Sequence, residues 1–247
     1  MIDKNMTEQY FSSLAAKHGV NDRWNSDKYE VVKGLMLPSD EHPDVLECGG
    51  GAGFYTCRLI QDGYRVTCID PSKEALSVNK ANAEVIGKGA LLTTVTGDFV
   101  SVGAGLGRKF DQIIFVKVFH HFNSLQEIYQ AIDMAQELCK DDGRIVIFEP
   151  NGSNILWRIF LSLIRDKISG KSKWFYEQNM RFATLPNFRR YFEARDIEYA
   201  VGYHYVIPSF ILNMKVPAAF ALQKVNSLLE KTLLKKIAFN FSIVIDA

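Results

Sequence analysis

The strongest constraint on the fold is a regular alternation between short apolar segments and longer segments with helical spacing. The apolar segments are DVLEC, RVTCID, ALLTTVTGD, FDQIIFVKVF and GRIVIFEP, and helical patterns stand between most of them. These segments are almost continuously apolar and rich in Val and Ile, which is typical of parallel strands that are buried on both faces. The alternation predicts a doubly wound parallel sheet with a ligand site at the carboxyl ends of its strands.

The alternation stops after Pro150. Helical patterns follow in SNILWRIFLSLIR, TLPNFRRYFEAR and PAAFALQKVNSLLEKTLLKKIA, and strand patterns follow in IEYAVGYHYVIP and FNFSIVIDA. We expect the last two strands to extend the same sheet, so that residues 151–180 and 206–236 are insertions in one domain. Before the first strand, residues 7–37 have a helical pattern. That segment is predicted either to cover the strand ends or simply to pack on the sheet.

The first apolar segment leads into a cluster of glycines, in the stretch DVLECGGGAGFYT from Asp44 to Thr56. A dinucleotide fingerprint would need a third glycine at position 54, where this chain has Phe54, and the Gly-Lys-Ser/Thr of a phosphate-binding loop is absent. The observed spacing is E-x-G-x-G-x-G, formed by Glu47, Gly49, Gly51 and Gly53. Alternate glycines keep Cβ atoms away from a surface against which a ligand lies. The spacing therefore indicates a ligand without a pyrophosphate group.

Acidic side chains end the next two predicted strands. Asp70 closes RVTCID, about twenty residues after the glycines, where a carboxylate can accept hydrogen bonds from ribose hydroxyls. Asp98 and Phe99 follow the third strand, and they offer a hydrogen-bond acceptor beside a flat apolar ring, which suits an adenine. An acid at a strand end is also a common helix cap. Their order along the chain favours a nucleoside site over two independent caps.

These motifs resemble those of the class I S-adenosylmethionine-dependent methyltransferases over roughly residues 40–150. FDQIIFVKVFHHF and LCKDDGRIVIFEPN are similar to the fourth-strand and fifth-strand motifs of that family. The resemblance implies a seven-stranded Rossmann-like sheet of order 3-2-1-4-5-7-6 with strand 7 antiparallel, and helical insertions after strands 5 and 6. It also implies that S-adenosylmethionine is the cofactor and S-adenosylhomocysteine the product.

The resemblance assigns a role to each cofactor-binding position. The three alternate glycines would lie against the methionine part, Asp70 would bind the ribose, and Asp98 with Phe99 would flank the adenine. The full set of predicted cofactor-binding residues is Glu47, Gly49, Gly51, Gly53, Asp70, Pro71, Asp98, Phe99 and Val116.

In this family the residues after the fourth strand face the transferred methyl group. Many amide and nucleic-acid base methyltransferases have Asn-Pro-Pro-Tyr there, whereas this chain has Val116, Lys117, Val118 and Phe119, which counts against a glutamine or DNA adenine target. His120 and His121 follow and are the predicted catalytic residues, because a histidine can act as general base for a hydroxyl or phenol near neutral pH. The alternative is a structural imidazole that holds the loop.

We expect a methyltransferase that acts on a small, lipophilic molecule. The predicted acceptor-side residues are Tyr10, Trp24 and Glu149, although a buried, capped carboxylate is the default interpretation of Glu149. The alternatives are a sugar or amine acceptor, a non-catalytic cofactor-binding partner subunit and, more distantly, a nicotinamide oxidoreductase.

The chain is predicted to form one domain, 1–247, in three parts. Residues 1–40 form an N-terminal helical flap, 41–150 the cofactor-binding core, and 151–247 the acceptor-side helices with the last two strands. The first 150 residues contain 15 Lys and Arg against 21 Asp and Glu, a net −6, while the rest contain 14 against 7, a net +7. A basic and apolar second part suits an anionic or amphiphilic partner, although a solvated basic face is the commoner cause.

Two segments of this second part raise the question of a membrane. Residues 155–164, ILWRIFLSLI, are too apolar for an ordinary surface helix and too short to span a bilayer. Residues 217–237 are predicted to form one amphipathic helix with Leu222, Val225, Leu229 and Leu233 on one side and Lys224, Lys231 and Lys235 on the other. Peripheral membrane contact is one interpretation, a lipophilic acceptor pocket beneath these helices at the strand ends is another, and helices that only complete the core are the third.

The N-terminal segment, the length of the apolar runs and the cysteine spacing predict a cytoplasmic protein. Peripheral binding to a membrane is the alternative. The chain starts without an apolar leader segment, and no apolar run reaches the roughly 18 residues of a spanning helix. The four cysteines form no C-x-x-C pair, so we expect neither a disulfide framework nor a metal site. No nucleic-acid partner is expected.

Overall fold

A computed structural model describes residues 23–154, 178–207, 212 and 219–247. The strands of this part are β1 (Asp44–Cys48), β2 (Arg65–Asp70), β3 (Leu92–Thr96), β4 (Phe110–Val116), β5 (Cys139–Pro150), β6 (Ala200–His204) and β7 (Asn240–Asp246). Its α-helices are α1 (Arg23–Lys33), α2 (Phe54–Gln61), α3 (Lys73–Val85), α4 (Phe99–Gly103), α5 (Leu125–Leu138), α6 (Leu185–Glu193) and α7 (Ala219–Leu229). Short 3₁₀ turns include Phe119–His121, Gln178–Arg181 and Leu233–Ile237.

The seven strands form one sheet in the order β3-β2-β1-β4-β5-β7-β6. β1 is central and parallel to both neighbours, with Val45 paired to Val66 of β2 and to Gln112 of β4. β2 and β3 are also parallel. β2 and β3 lie on one side of β1, and β4 and the later strands lie on the other side. The glycine loop that follows β1 therefore lies at the topological switch point, where open parallel sheets bind ligands.

β7 runs antiparallel to β5, as its backbone hydrogen bonds require. The Asn151 amide donates to the Phe239 carbonyl at 2.8 Å, and the Ala247 amide donates to the Gly143 carbonyl at 3.0 Å. Residue numbers therefore rise along one strand while they fall along the other. The predicted strand order, the antiparallel seventh strand and the helices after β5 and β6 are all confirmed.

The chain divides into two compact units. The first consists of Met1–Val116, Tyr129–Ile147 and Val244–Ala247, and it contains β1 to β4 with the glycine loop. The second consists of Lys117–Ile128 and Phe148–Ile243, and it contains the loop after β4, α6, β6 and α7. The single-domain organisation inferred from the sequence stays a prediction.

Within the first unit, α1 packs against α2 and the segment after α1 is tied to β4. Tyr29 of α1 is buried, and its hydroxyl donates a hydrogen bond to Asp62. The Gln112 side chain accepts from the Leu37 amide at 2.7 Å and donates to the Leu37 carbonyl at 3.1 Å. The helix ends at Lys33, four residues earlier than the pattern predicted, with the Gly34 amide closing its last turn. Residues 1–22, the rest of the predicted flap, lie outside the described residues.

Two other boundaries differ from the sequence expectation. The helix after β4 ends at Leu138, and β5 already begins at Cys139, four residues before the apolar segment GRIVIFEP that predicted it. The single helix predicted over 217–237 is wrong, because α7 ends at Leu229 and a separate 3₁₀ turn begins at Leu233. Thr232 causes the break, since its hydroxyl donates to the Leu229 carbonyl and accepts from the Leu234 amide.

None of the described helices is long and apolar enough to cross a membrane. The apolar run 155–164 lies outside the described residues. All four cysteines are buried as free thiols. Burial raises the pKa of the Cys48 and Cys68 thiols well above the usual value, and it raises the pKa of Cys57 and Cys139 to about 11.

Candidate active site

The glycine loop connects β1 to α2 and leaves one open position at Gly51. Gly51 has a φ of +54°, and a Cβ placed on it would meet no atom within 4 Å. Its amide donates to Asp70 Oδ2 at 2.9 Å, so the open position lies next to the carboxylate at the end of β2. Space above a glycine with a positive φ is the local geometry that lets a ligand lie directly against the backbone.

Gly53 has a different reason to be glycine. It has a φ of +89°, and a Cβ there would overlap the Asn79 side chain of α3. Asn79 is fully buried, and its Oδ1 has no hydrogen-bond partner in the part of the chain that the structure describes. The third glycine of the motif therefore allows α3 to pack under the loop, which is a contact within the protein.

A series of hydrogen bonds between buried polar side chains supports the loop. Asn79 Nδ2 donates to Thr56 Oγ1 at 2.9 Å, and the Thr56 hydroxyl donates to Glu47 Oε2. Glu47 is only 3% exposed, and its burial raises the pKa of the carboxyl from 4.5 to about 7, with hydrogen bonds from Thr56 opposing the shift. The structure thus places Glu47 as a support of the loop, and its direct contact with a cofactor stays a prediction.

Replacing Glu47 by Gln should flatten the dependence of stability on pH. Between pH 4.5 and about 7 the folded chain keeps a proton on Glu47 that the unfolded chain has lost. The free energy of unfolding therefore falls as the pH rises through this range, by on the order of 3 kcal/mol in total. Gln keeps the hydrogen bond from Thr56 but does not titrate. Thermal unfolding of both proteins across this range tests the expectation, and parallel pH profiles would contradict it.

Asp70 is held by two backbone amides at the end of β2. Its Oδ2 accepts from Gly51, and its Oδ1 accepts from the Ser72 amide at 2.8 Å. Burial raises the pKa of this carboxyl, and the two amides oppose that shift. Each carboxylate oxygen has a second lone pair, so Asp70 can accept further hydrogen bonds from a diol. This geometry fits the ribose role predicted for it.

Asp70→Ala should weaken binding of S-adenosylhomocysteine by about 1 to 3 kcal/mol, because the hydrogen bonds to the ribose hydroxyls are lost. Asp111→Ala is the matched control, since Asp111 is a buried aspartate that accepts from the Asp44 amide at 2.8 Å at the opposite ends of the strands. Calorimetry should show full affinity in the control. Undiminished affinity in the Asp70 variant would exclude the ribose contact.

Asp98 caps a helix and retains one free oxygen. Its Oδ1 accepts from the Val100 and Ser101 amides at 3.1 and 3.3 Å, which begins α4. Its Oδ2 has no partner among the described residues, so the cap and the predicted adenine contact are compatible. Phe99 is buried and meets Phe115 edge-on at 5.3 Å between ring centroids.

The other predicted cofactor positions also fall at the carboxyl ends of strands. Pro71 is exposed beside Asp70, Val116 ends β4 with 9% exposure, and the Gly49 amide donates to the Ile69 carbonyl. Their contacts with a cofactor stay predictions.

In the second unit, Glu149 organises the loop after β4. Its side chain is fully buried, and Oε1 accepts from the Val118 and Phe119 amides at 2.6 and 2.8 Å. Lys117 begins this loop with a φ of +59°, an uncommon conformation for a residue other than glycine. Because both amides converge on one carboxylate, the loop is fixed through its backbone.

Glu149 also binds His120. Oε2 lies 2.8 Å from His120 Nδ1, and since a carboxylate oxygen only accepts, Nδ1 is the donor. The other ring nitrogen, Nε2, has no hydrogen-bond partner among the described residues, and the residue is 8% exposed. The ring of His121 lies 3.9 Å from that of His120, and burial lowers the pKa of His121 well below its usual value, with His120 adding to the effect.

The structure gives the candidate residues different surroundings. His120 has an oriented imidazole whose Nε2 has no partner among the described residues, whereas Glu149 is fully buried against His120 and the loop amides. The catalytic role of the histidines and the acceptor-side role of Glu149 stay predictions. Trp24 lies in α1, and Tyr10 lies outside the described residues, so both acceptor-side assignments stay predictions. Asn79 was not foreseen. Its signal was a polar side chain on the buried face of α3, among Ala75, Leu76 and Ala83.

The arrangement in the first unit fits S-adenosylmethionine. Gly51 leaves room for a ligand against the backbone, and Asp70 offers spare lone pairs beside that opening. The seven-stranded order is that of the class I S-adenosylmethionine-dependent methyltransferase fold. Residues 46–147 match the family described as a methyltransferase domain.

Curated relatives agree with this class. The chain is 34% identical over 103 residues to an uncharacterized methyltransferase of Alkaliphilus oremlandii, covering 42% of this chain and 44% of that protein. It is 30% identical over 151 residues to the glycine/sarcosine N-methyltransferase of Aphanothece halophytica, covering 60% and 56%. The matched part spans about half the length of these relatives.

The fold is also shared with a solved structure along nearly the whole chain. The magnesium protoporphyrin IX methyltransferase of Synechocystis PCC 6803, crystallised with bound S-adenosylhomocysteine, superposes with a TM-score of 0.61. The match covers 99% of this chain and 100% of that one at 16% identity. At this identity the likeness concerns the fold alone.

Proposed function

We propose that the chain methylates the oxygen of a small, lipophilic hydroxyl or phenol compound, with S-adenosylmethionine as cofactor and His120 as general base. The observation that carries the proposal is the pairing of His120 with Glu149. S-adenosylmethionine, when bound, supplies a methyl group on a cationic sulfur that a nucleophile displaces. The protein then has to align the nucleophile, exclude water and remove a proton from a hydroxyl.

The Glu149 contact prepares His120 for that last task. A neutral imidazole has one protonated nitrogen, and the bond to Glu149 keeps the proton on Nδ1. Nε2 then carries a lone pair and can accept a proton from a hydroxyl. The depressed pKa of His121 makes it a weaker base, so His120 is the better candidate of the two.

Aromatic side chains next to these histidines support a lipophilic acceptor. Phe122, two residues after His120, is partly exposed and meets Phe119 edge-on at 5.3 Å between centroids. Phe119 in turn contacts Phe188 of α6 at 5.5 Å. A half-buried ring beside the candidate base offers an apolar surface to a substrate.

An amine acceptor is the second candidate, because one relative bears the name glycine/sarcosine N-methyltransferase. An amine that arrives neutral can attack without a protein base. A sugar acceptor and a non-catalytic partner subunit are the remaining alternatives. A sugar hydroxyl would use the same base, and the aromatic side chains beside His120 favour a lipophilic acceptor over it. A non-catalytic subunit gives no reason for an imidazole held with one nitrogen free.

The test has two steps. A thermal shift with S-adenosylhomocysteine against NAD should show stabilisation by the first compound alone. Mass spectrometry should then detect methylated products from phenols and alkyl alcohols, with turnover that rises with alkyl chain length, and not from sugars. Methylation of amines alone, with His120→Ala fully active, would contradict the proposal.

A further inference from the structure

The outward side of α7 and of the 3₁₀ turn after it carries a cluster of exposed apolar side chains. Val225, Leu228, Leu233 and Leu234 are 44%, 64%, 81% and 49% exposed. Val225 and Leu228 are three residues apart in one helix, so they lie on the same side of it. The only other large apolar side chain with such exposure in the described chain is Val85, in the first unit. A cluster of this kind indicates a contact surface.

The inward side of the same helix carries a buried, hydrogen-bonded polar residue between the partly buried Leu222 and Leu229. Asn226 is 6% exposed, its Oδ1 accepts from the Ile207 amide at 2.9 Å, and its Nδ2 donates to Glu230 Oε1 at 2.8 Å. Glu230 Oε1 also accepts from the Tyr205 amide at 2.6 Å. α7 is attached through these hydrogen bonds and through Leu222 and Leu229, which share the side of Asn226. The exposed leucines are therefore not needed to attach α7 to its own unit.

The charges of this segment have one sign on the outside. Residues 219–237 contain four lysines, at 224, 231, 235 and 236, and a single acid, Glu230, which is turned inward. Within the described part of the chain, Lys231 and Lys236 form no ion pair, and both are exposed. We call the exposed apolar side chains, together with Lys231 and Lys236, the apolar-basic face. Its charge calls for an anionic partner.

We propose that the apolar-basic face docks on the surface of an anionic lipid bilayer. The leucines would enter the boundary between headgroups and acyl chains, and the lysines would contact the headgroups. A second copy of the chain would bring the same lysines together across a symmetric interface, which repulsion disfavours. Docking does not depend on the proposed methyl transfer, so either can fail without the other.

Sedimentation of the full chain with vesicles tests the proposal. Vesicles of phosphatidylcholine mixed with phosphatidylglycerol should pellet the protein at low salt, and high salt should reduce the pelleted fraction. Vesicles of phosphatidylcholine alone should pellet much less. Leu228→Ser with Leu233→Ser should weaken binding about tenfold or more. Lys231→Gln with Lys236→Gln should weaken it about fivefold per lysine.

Matched controls come from α3 in the first unit. Val85→Ser removes an exposed apolar side chain, and Lys73→Gln with Lys80→Gln removes two exposed lysines, so all of these should pellet like the wild type. Circular dichroism and S-adenosylhomocysteine binding verify that each variant is folded. Absence of pelleting at low salt, or equal losses in the controls, would overturn the proposal. Sedimentation velocity that shows a dimer broken by the two serines would instead assign the face to a second copy.

Discussion

Leucine in place of Gly51 should abolish measurable binding of S-adenosylhomocysteine while the chain stays folded. The new side chain would project into the open space of the glycine loop, where the structure offers no atom within 4 Å to obstruct it. The positive φ adds strain on the order of 1 to 3 kcal/mol. Calorimetry measures the binding, and thermal unfolding measures the strain.

Gly107→Leu is the control for that strain. Gly107 has a φ of +64°, and its Cβ would likewise meet nothing within 4 Å, but it follows α4 and lies outside the loop. It should lose similar stability and keep full affinity. Gly53→Ala should instead lose mainly stability, and more of it than the Gly51 variant, because its Cβ would overlap the Asn79 side chain. Binding by the Gly51 variant at wild-type strength would show that the ligand does not lie on this loop.

Glu149→Gln should lower turnover by about a hundredfold or more without changing cofactor affinity. Gln is almost identical in shape, and its oxygen can still accept from the Val118 and Phe119 amides. Its amide nitrogen then faces His120 Nδ1 and donates to it, which moves the imidazole proton to Nε2. The nitrogen that should accept a proton from the acceptor hydroxyl is then already protonated.

Comparison with four further variants makes this prediction specific. His120→Ala should lose about as much turnover as Glu149→Gln, and the double variant should lose little more, because both changes disable one group. Glu149→Ala should additionally destabilise the fold, since two backbone amides lose their acceptor. If Glu149→Gln keeps full turnover while His121→Ala does not, His121 is the base. If Glu149→Gln, His120→Ala and His121→Ala all keep turnover, alignment of the reactants alone accounts for the rate.

The fold could be predicted from the sequence because strands buried on both faces need continuous apolar runs. β1, β2 and β4 are such runs, and their parallel pairing follows from the helices between them. The break between α7 and the next turn could not be predicted. Leu222 and Leu229 are partly buried whereas Val225 and Leu233 are exposed, so the apolar spacing did not mark one buried stripe.

The sequence indicated which residues lie at the carboxyl ends of the strands, but it did not indicate which contacts each of them makes. Gly51 and Gly53 look equivalent in the sequence motif. Of the two, only Gly51 has free space at the Cβ position, because the Asn79 side chain of α3 occupies that position at Gly53. The two interpretations of Glu149 likewise stayed open until its contacts with His120 and the loop amides were known. Both distinctions depend on contacts between segments far apart in the chain, which local patterns do not encode.

Because all four cysteines are buried, a cysteine introduced at the surface can be labelled site-specifically. Thiol reagents attack exposed thiolates, and Cys48, Cys57, Cys68 and Cys139 are enclosed with raised pKa values. A cysteine introduced at Leu233, which is 81% exposed, would be the only reactive thiol of the native protein at neutral pH. A polarity-sensitive fluorophore attached there could report what the apolar-basic face contacts, with the native cysteines left in place.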